Sequence, residues 1–260
     1  MSRRAALAPV YRIGTAGWSI PAAHAGRFPG PGSHLERYAR VFPAVEIDSS
    51  FYRPHRIETY RRWAASVPDR FRFAVKLPRT VTHAGRLRDL EALDRFLDEV
   101  AGLGDKLGAL LAQLPPSLVF DAPPAQACFA HLRARFEGDV ACEPRHASWF
   151  EPEADALLAE LRIGRAAADP PPVPAGARPG GWAGTVYYRL HGSPVRYASS
   201  YSDAYLETLA RTLARAARGR RPVWCIFDNT ARGEAVPNAL ALLDALRARA
   251  PDRDRRRAHE

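Results

Sequence analysis

Eight times along the 260 residues, a short apolar run of β-forming residues is followed by a stretch with helical periodicity. The runs begin near Tyr11, Ala44, Phe71, Gly108, Asp139, Ile163, Thr185 and Val223. The stripes between them are regular: Leu35, Tyr38, Ala39 and Phe42, with Ser33 as N-cap, or Leu90, Leu93, Leu97 and Val100. Strands separated by helices pair in parallel, because only a crossover of a dozen or more residues brings the next strand back in the same direction. Eight such units predict an α/β chain folded as a single (β/α)8 TIM barrel; an open doubly wound sheet is the alternative. One unit is defective. Residues 170–184 read PPPVPAGARPGGWAG, too rich in proline and glycine for a helix, so a loop is expected in place of the sixth helix. No repeat or linker divides the chain. The expected organisation is an N-terminal extension 1–10, a barrel domain 11–246 and a basic tail 247–260.

Composition excludes several classes. With 47% hydrophobic and 25% charged residues the chain is not disordered. No apolar run approaches the roughly 20 residues that span a bilayer, so no membrane partner is expected. Ala5 to Val10, after Arg3 and Arg4, is too short for a signal-peptide core. Cys128, Cys142 and Cys225 are odd in number and lack C-x-x-C spacing, which suits buried, reduced thiols in a cytoplasmic protein. The net charge is +10 and nearly all arginine, since Lys76 and Lys106 are the only lysines. The tail's six arginines against Asp252, Asp254 and Glu260 carry +3 of it. Such a tail can hold nucleic acid electrostatically; a solvated helix end is the competing reading.

Side chains alternate along a strand, so residues two apart share a face. Glu46 and Asp48 oppose Val45 and Ile47; Lys76 opposes Val75; Glu143 and Arg145 oppose Val140 and Cys142. Arg189 and His191 oppose Tyr188 and Leu190, and Asp228 opposes Phe227. With the apolar face under the helices, the charged face points inward at the C-terminal strand ends, where barrel active sites are built. Gln113 after the fourth strand and Asp169 after the sixth join this mouth, with His146 and Asn229 beside it. An ion pair such as Glu46 with Lys76 could merely close a barrel. Charge from six strands at one rim is harder to explain so, because each unpaired buried ion costs several kcal/mol.

At these residues the chain resembles the DUF72, or YecE-like, family of TIM-barrel proteins. The resemblance rests on Gly14-Thr15-Ala16-Gly17-Trp18, on Val45-Glu46-Ile47-Asp48-Ser49-Ser50-Phe51-Tyr52 and on Phe73-Ala74-Val75-Lys76. It continues through Gln113-Leu114-Pro115-Pro116, Glu143-Pro144-Arg145-His146 with Ser148-Trp149-Phe150, and Tyr188-Arg189-Leu190-His191-Gly192. It runs from about Ile13 to Leu246. It implies the barrel and no particular activity. The chain departs from the family pattern where Ile20 and residues 21–26 replace aromatic residues. It departs again at Phe227-Asp228-Asn229-Thr230, where the family reads Phe-Asn-Asn-Asp.

The chain has no G-x-S-x-G elbow, Walker A loop, H-E-x-x-H or strand-linked G-x-G-x-x-G. Two chemistries suit the mouth. In the favoured one, Lys76, Arg145 and Arg189 bind an anion, with Arg189 as main anchor, while Glu143 and His191 act as base and acid beside Asp48. In the other, Glu46, Asp48, Glu143, Asp169 and Asp228 hold a divalent metal that activates water. Three cationic side chains in the same mouth disfavour that ion, and no cofactor is specified. Trp18, Tyr52 and Trp149, on loops after strands one, two and five, are candidates to stack on a ring. The expected function is binding of a small anionic ligand, phosphorylated or nucleic-acid-derived, with hydrolysis as the leading reaction. The alternative is a non-catalytic nucleic-acid-binding protein using surface arginines and the tail. Protein partners are not indicated.

Overall fold

The structure, a computed structural model, describes residues 11–219 and 221–249. The strands are β1 (Tyr11–Thr15), β2 (Ala44–Ile47), β3 (Arg72–Lys76), β4 (Leu107–Gln113), β5 (Asp139–Glu143), β6 (Gly164–Arg165), β7 (Ala167–Asp169), β8 (Gly180–Gly181), β9 (Val186–Leu190) and β10 (Val223–Phe227). The helices are α1 (His34–Val41), α2 (Ile57–Ala65), α3 (Leu90–Val100), α4 (Ala122–Arg135), α5 (Pro152–Glu160), α6 (Asp203–Ala216) and α7 (Ala235–Arg249). The basic tail beyond Arg249 and the N-terminal extension lie outside the described residues.

Helix starts follow local chemistry. Ser33 and Glu36 form a capping box at α1, and the side chains of Asp89 and Ser202 accept the first free N–H groups of α3 and α6. Residues 170–184 hold no α-helix. A 3-10 turn (Pro174–Ala177) and the two-residue β8 stand there instead. Arg165 ties this loop down, pairing with Asp155 at 2.7 Å and donating to the Ala175 carbonyl. Gly180 passes so close to that guanidinium that a Cβ would lie 2.2 Å from Nη2.

The ladders form two sheets, not one uninterrupted ring. One has the order β1-β10-β9-β7 and is parallel throughout; the other has the order β2-β3-β4-β5-β6-β8, parallel except for β8. The interruptions have local causes. Between β1 and β2 the pairing shrinks to a single parallel bridge, Ala16 with Glu46. The sixth run is broken at Ala166, so β6 pairs with β5 while β7 pairs with β9.

Burial separates two cores. The larger lies between strands and helices and includes Ile13, Val45, Val75, Leu110 and Cys142. The smaller gathers Ala44, Ala74, Ala109, Leu111, Ala141, Ala166, Tyr187, Trp224 and Ile226, drawn from both sheets. Its alanines make room for Trp224 and Tyr187, which stack at 6.0 Å. The register jumps between Phe73–Leu107 and Ala74–Ala109, and Gly108 in that bulge lies against Trp224. The three cysteines are free and buried, and burial raises the Cys128 thiol to about 12. No helix among the described residues is long and apolar enough to cross a membrane.

Candidate functional site

The face that carries the small inner core turns polar at the C-terminal strand ends. Ala44 is followed two and four residues later by Glu46 and Asp48, Ala74 by Lys76, and Ala141 by Glu143 and Arg145. Tyr187 is followed likewise by Arg189 and His191, and Ile226 by Asp228. The period of two therefore delivers eight charged or titratable side chains to one end of the inner space.

Arg189 is their hub, and it is 1% exposed. Its Nε and Nη2 donate to Glu46 Oε1 at 3.1 and 2.8 Å, and Nη1 donates to Glu143 Oε2 at 3.1 Å. Nη2 also lies 3.2 Å from Asp48 Oδ1 and 3.1 Å from Asp228 Oδ2. Every nitrogen of this guanidinium thus faces a protein carboxylate. The expected anion anchor is a counterion for four acids, and its fork is already filled. Lys76 Nζ reaches Asp48 Oδ1 at 2.9 Å and lies 4.1 Å from the centre of the Phe51 ring.

Arg145 differs. Its Nη2 is 2.6 Å from Glu143 Oε1 and 2.7 Å from His191 Nε2, but Nη1 is buried with no hydrogen-bond partner. A buried charged donor without an acceptor costs several kcal/mol, which an anionic ligand oxygen would recover. His191 sits between two acids, Nδ1 at 3.0 Å from Asp228 Oδ2 and Nε2 at 2.8 Å from Glu143 Oε1. As an imidazolium it donates to both. As a neutral ring it keeps Asp228 and accepts from Arg145 instead. The site can therefore move a proton at Nε2 without losing a hydrogen bond there.

Burial pushes Glu143 up, but Arg145, His191 and Arg189 outweigh it and hold this carboxyl well below its usual range. Asp228 is likewise lowered: burial raises it, and Arg189 and His191 overcome the rise. Glu46 goes the other way, because burial exceeds what Arg189 returns. Tyr187 donates to Glu46 Oε2 at 2.7 Å, and burial beside that carboxylate pushes its phenol well up. The site therefore holds acids biased in opposite directions, a pattern suited to proton transfer. Among the described residues no group of three or more His, Cys, Asp and Glu is disposed to hold a metal ion.

The other expected members are engaged outside the Arg189 cluster or stand at its edge. Trp149 is 1% exposed and donates to the Leu118 carbonyl, so it packs in the core and offers no ring to a ligand. His146 caps the turn after β5 through Ser148. Asp169 accepts from the Tyr201 hydroxyl at 3.0 Å. Asn229 donates to the Ser199 carbonyl and to Asn238, fastening the loop after β9 to α7. Gln113 ends β4 in register with Glu143 and donates to the Leu114 carbonyl. Trp18 packs edge-on against Trp63 of α2. Tyr52 remains open, 69% exposed, with its hydroxyl in the field of Asp48, Asp228 and Arg189.

Two residues outside the expected set join the site. Tyr187 follows from strand parity alone, two residues before Arg189. Tyr197 has no such signal. It lies in the loop after β9, 44% exposed, with its ring edge-on to His191 at 5.5 Å. Its φ of +67° is unusual for so bulky a residue, and its backbone N–H is held by the His191 carbonyl.

Comparison with known proteins agrees with this architecture. A family model described as "Protein of unknown function DUF72" matches residues 12–259. The UPF0759 protein YunF of Bacillus subtilis is 26% identical over 270 residues, covering 90% of this chain and 94% of its own. The Escherichia coli UPF0759 protein YecE is 37% identical over 82 residues, 31% of this chain and 30% of its own. Two crystal structures share the fold. A DUF72 protein of Enterococcus faecalis superposes with a TM-score of 0.76 at 23% identity, covering 94% of this chain and 97% of that one. A DUF72 protein of Thermotoga maritima gives 0.74 at 25% identity, covering 91% and 99%. The family match spans nearly the whole chain, and the chain belongs to the DUF72 family.

Proposed function

We propose that the two sheets are the walls of one (β/α)8 barrel and that its C-terminal mouth binds and hydrolyses a small anionic ester. The barrel reading is supported by the inner core drawn from both sheets, by the Ala16–Glu46 bridge at one seam and by the single residue separating β6 from β7 at the other. The observation that carries the function is the Arg145 guanidinium, 9% exposed with Nη1 unpartnered at the charged cluster. A phosphate or carboxylate oxygen is the acceptor this nitrogen lacks.

The remaining roles follow from charge and exposure. Glu143, held ionised, is a weak base; it orients Arg145 and His191. Asp48 is the most exposed acid of the cluster, at 25% against 11% for Asp228 and none for Glu46 or Glu143. Its Oδ1 takes both Lys76 and Arg189, leaving Oδ2 for a water. In the proposed step Asp48 accepts a proton from the attacking water, and the ester bond to the bound group breaks. The leaving oxygen takes the proton from His191 Nε2. Arg189 and Glu46 hold the array without touching substrate.

Release of phenol from phenyl phosphate and from diphenyl phosphate, whose leaving oxygen needs a proton, tests this reading. Turnover by the wild type, reduced at least 100-fold in both Asp48→Asn and His191→Gln, is expected. No release above buffer, or undiminished release by either variant, would reject hydrolysis at this mouth.

A further inference from the structure

Beside the mouth, and separate from the Arg189 cluster, a pocket of about 230 Å3 opens between the turn after β2, the segment after β3 and α3. Its walls are largely apolar, with Phe51, Tyr52 and Pro54 on one side and Phe96 of α3 on another. Its rim is cationic: Arg53, Arg79 and Arg95, against the single acid Glu99. Arg95 is already paired with Glu91 at 2.5 Å, and Glu99 is engaged by the His55 backbone N–H. The exposed Arg53 and Arg79 side chains have no acid or acceptor among the described residues.

These features select a ligand. Aromatic and proline walls favour a flat ring over a flexible chain, because a rigid face contacts them with little loss of conformational freedom. Two unpaired guanidinium groups favour an acidic group with several oxygens, which they can grip in forked geometry. Tyr52 lines this pocket, and its hydroxyl also lies in the field of Asp48, Asp228 and Arg189.

We propose that this pocket is a second ligand site, which takes a flat aromatic ring bearing a phosphate, sulfonate or carboxylate. It does not depend on the reaction proposed for the mouth. The test uses 1-naphthalenesulfonate, a fluorescent ring with one acidic group that no hydrolase cleaves, and its uncharged relative 1-naphthalenemethanol. Both are titrated into the full-length wild type, the double variant Arg53→Ser/Arg79→Ser and Arg145→Gln. Because Arg53 and Arg79 are exposed and unpaired, the double variant is expected to fold, and circular dichroism checks this. The wild type should bind the sulfonate at least tenfold more tightly than the alcohol. The double variant should lose at least tenfold, and Arg145→Gln should stay within twofold. Equal binding of alcohol and sulfonate, no saturable binding, or an unaffected double variant overturns the proposal. Loss of binding in Arg145→Gln alone would place the probe in the mouth and also overturn it.

Discussion

Strand β5 carries a carboxylate at each end on the same face, Asp139 at its start and Glu143 at its finish, and the two have opposite surroundings. Asp139 accepts from Trp224 Nε1 at 2.9 Å and Thr185 Oγ1 at 3.1 Å, both neutral donors. Burial raises its pKa, and those bonds together with Arg133 and Arg12 restore only part of the shift. Glu143 meets Arg145, Arg189 and His191, and ends far below its usual range. Among the described residues no buried side-chain donor or acceptor around Asp139 is left without a partner, whereas beside Glu143 one guanidinium nitrogen is. An acid that locks Trp224 under the inner core is explained by the fold alone. An array of seven charged side chains around a histidine, with one buried donor unused, is not closed by the fold in the same way.

This contrast can be broken most forcefully at Arg189. Arg189→Met leaves four carboxylates without their shared counterion. Stability measured by urea unfolding at pH 7 should fall by about 3–5 kcal/mol, or the chain should fail to fold. A loss under about 1 kcal/mol would show that the cluster is solvated and not buried as described.

The next largest effect separates the two ends of β5 by pH. Glu143 has a lowered pKa, so its contribution is present above the ordinary carboxylate value of about 4 and is lost as pH falls through its folded-state value. Asp139 has a raised pKa, so its contribution is present below that ordinary value and is lost as pH rises through the folded-state value. Glu143→Gln should therefore destabilise by about 3 kcal/mol at pH 7, and by less as pH falls toward 3. Asp139→Asn should show the opposite trend, most damaging in acid. Parallel pH profiles for the two variants would remove the distinction.

Smaller effects sharpen it. Gly108→Ala places a methyl 2.8 Å from Trp224 and should cost about 1–3 kcal/mol without changing ligand binding, because it disturbs only the inner core. Tyr197→Gly releases a left-handed backbone and should change stability by no more than about 1 kcal/mol, with a gain as the favoured sign. It should nevertheless weaken binding at the mouth. A stability loss above about 2 kcal/mol would make Tyr197 a packing residue.

Much of this is legible in the amino-acid sequence. All eight strand runs start within about a residue of their expected positions, because period-two and period-3.6 patterns reflect burial on one face, and burial is what the fold enforces. The same parity brought Glu46, Asp48, Lys76, Glu143, Arg145, Arg189, His191 and Asp228 together. Parity specifies a face, not a partner, so it could not show that Arg189 is spent on acids while Arg145 keeps a nitrogen free. It says nothing of loops either. Trp149 and Tyr52 look alike as loop aromatics, yet one is core and the other open. Tyr197 shows itself only through its backbone angle and its contact with His191. The seams between the sheets were illegible for a related reason: Ala166 reads as one more apolar strand residue, and only pairing reveals the break.

Calorimetric titration of inorganic phosphate into the wild type, Arg145→Gln and Asp139→Asn addresses the mouth most directly. Losing one charge-assisted contact of about 1.5–3 kcal/mol corresponds to a weakening of roughly ten- to a hundredfold. Arg145→Gln should show that loss, and Asp139→Asn should bind as the wild type does. Equal phosphate binding by all three proteins, or a loss confined to Asp139→Asn, would contradict an anion site at Arg145.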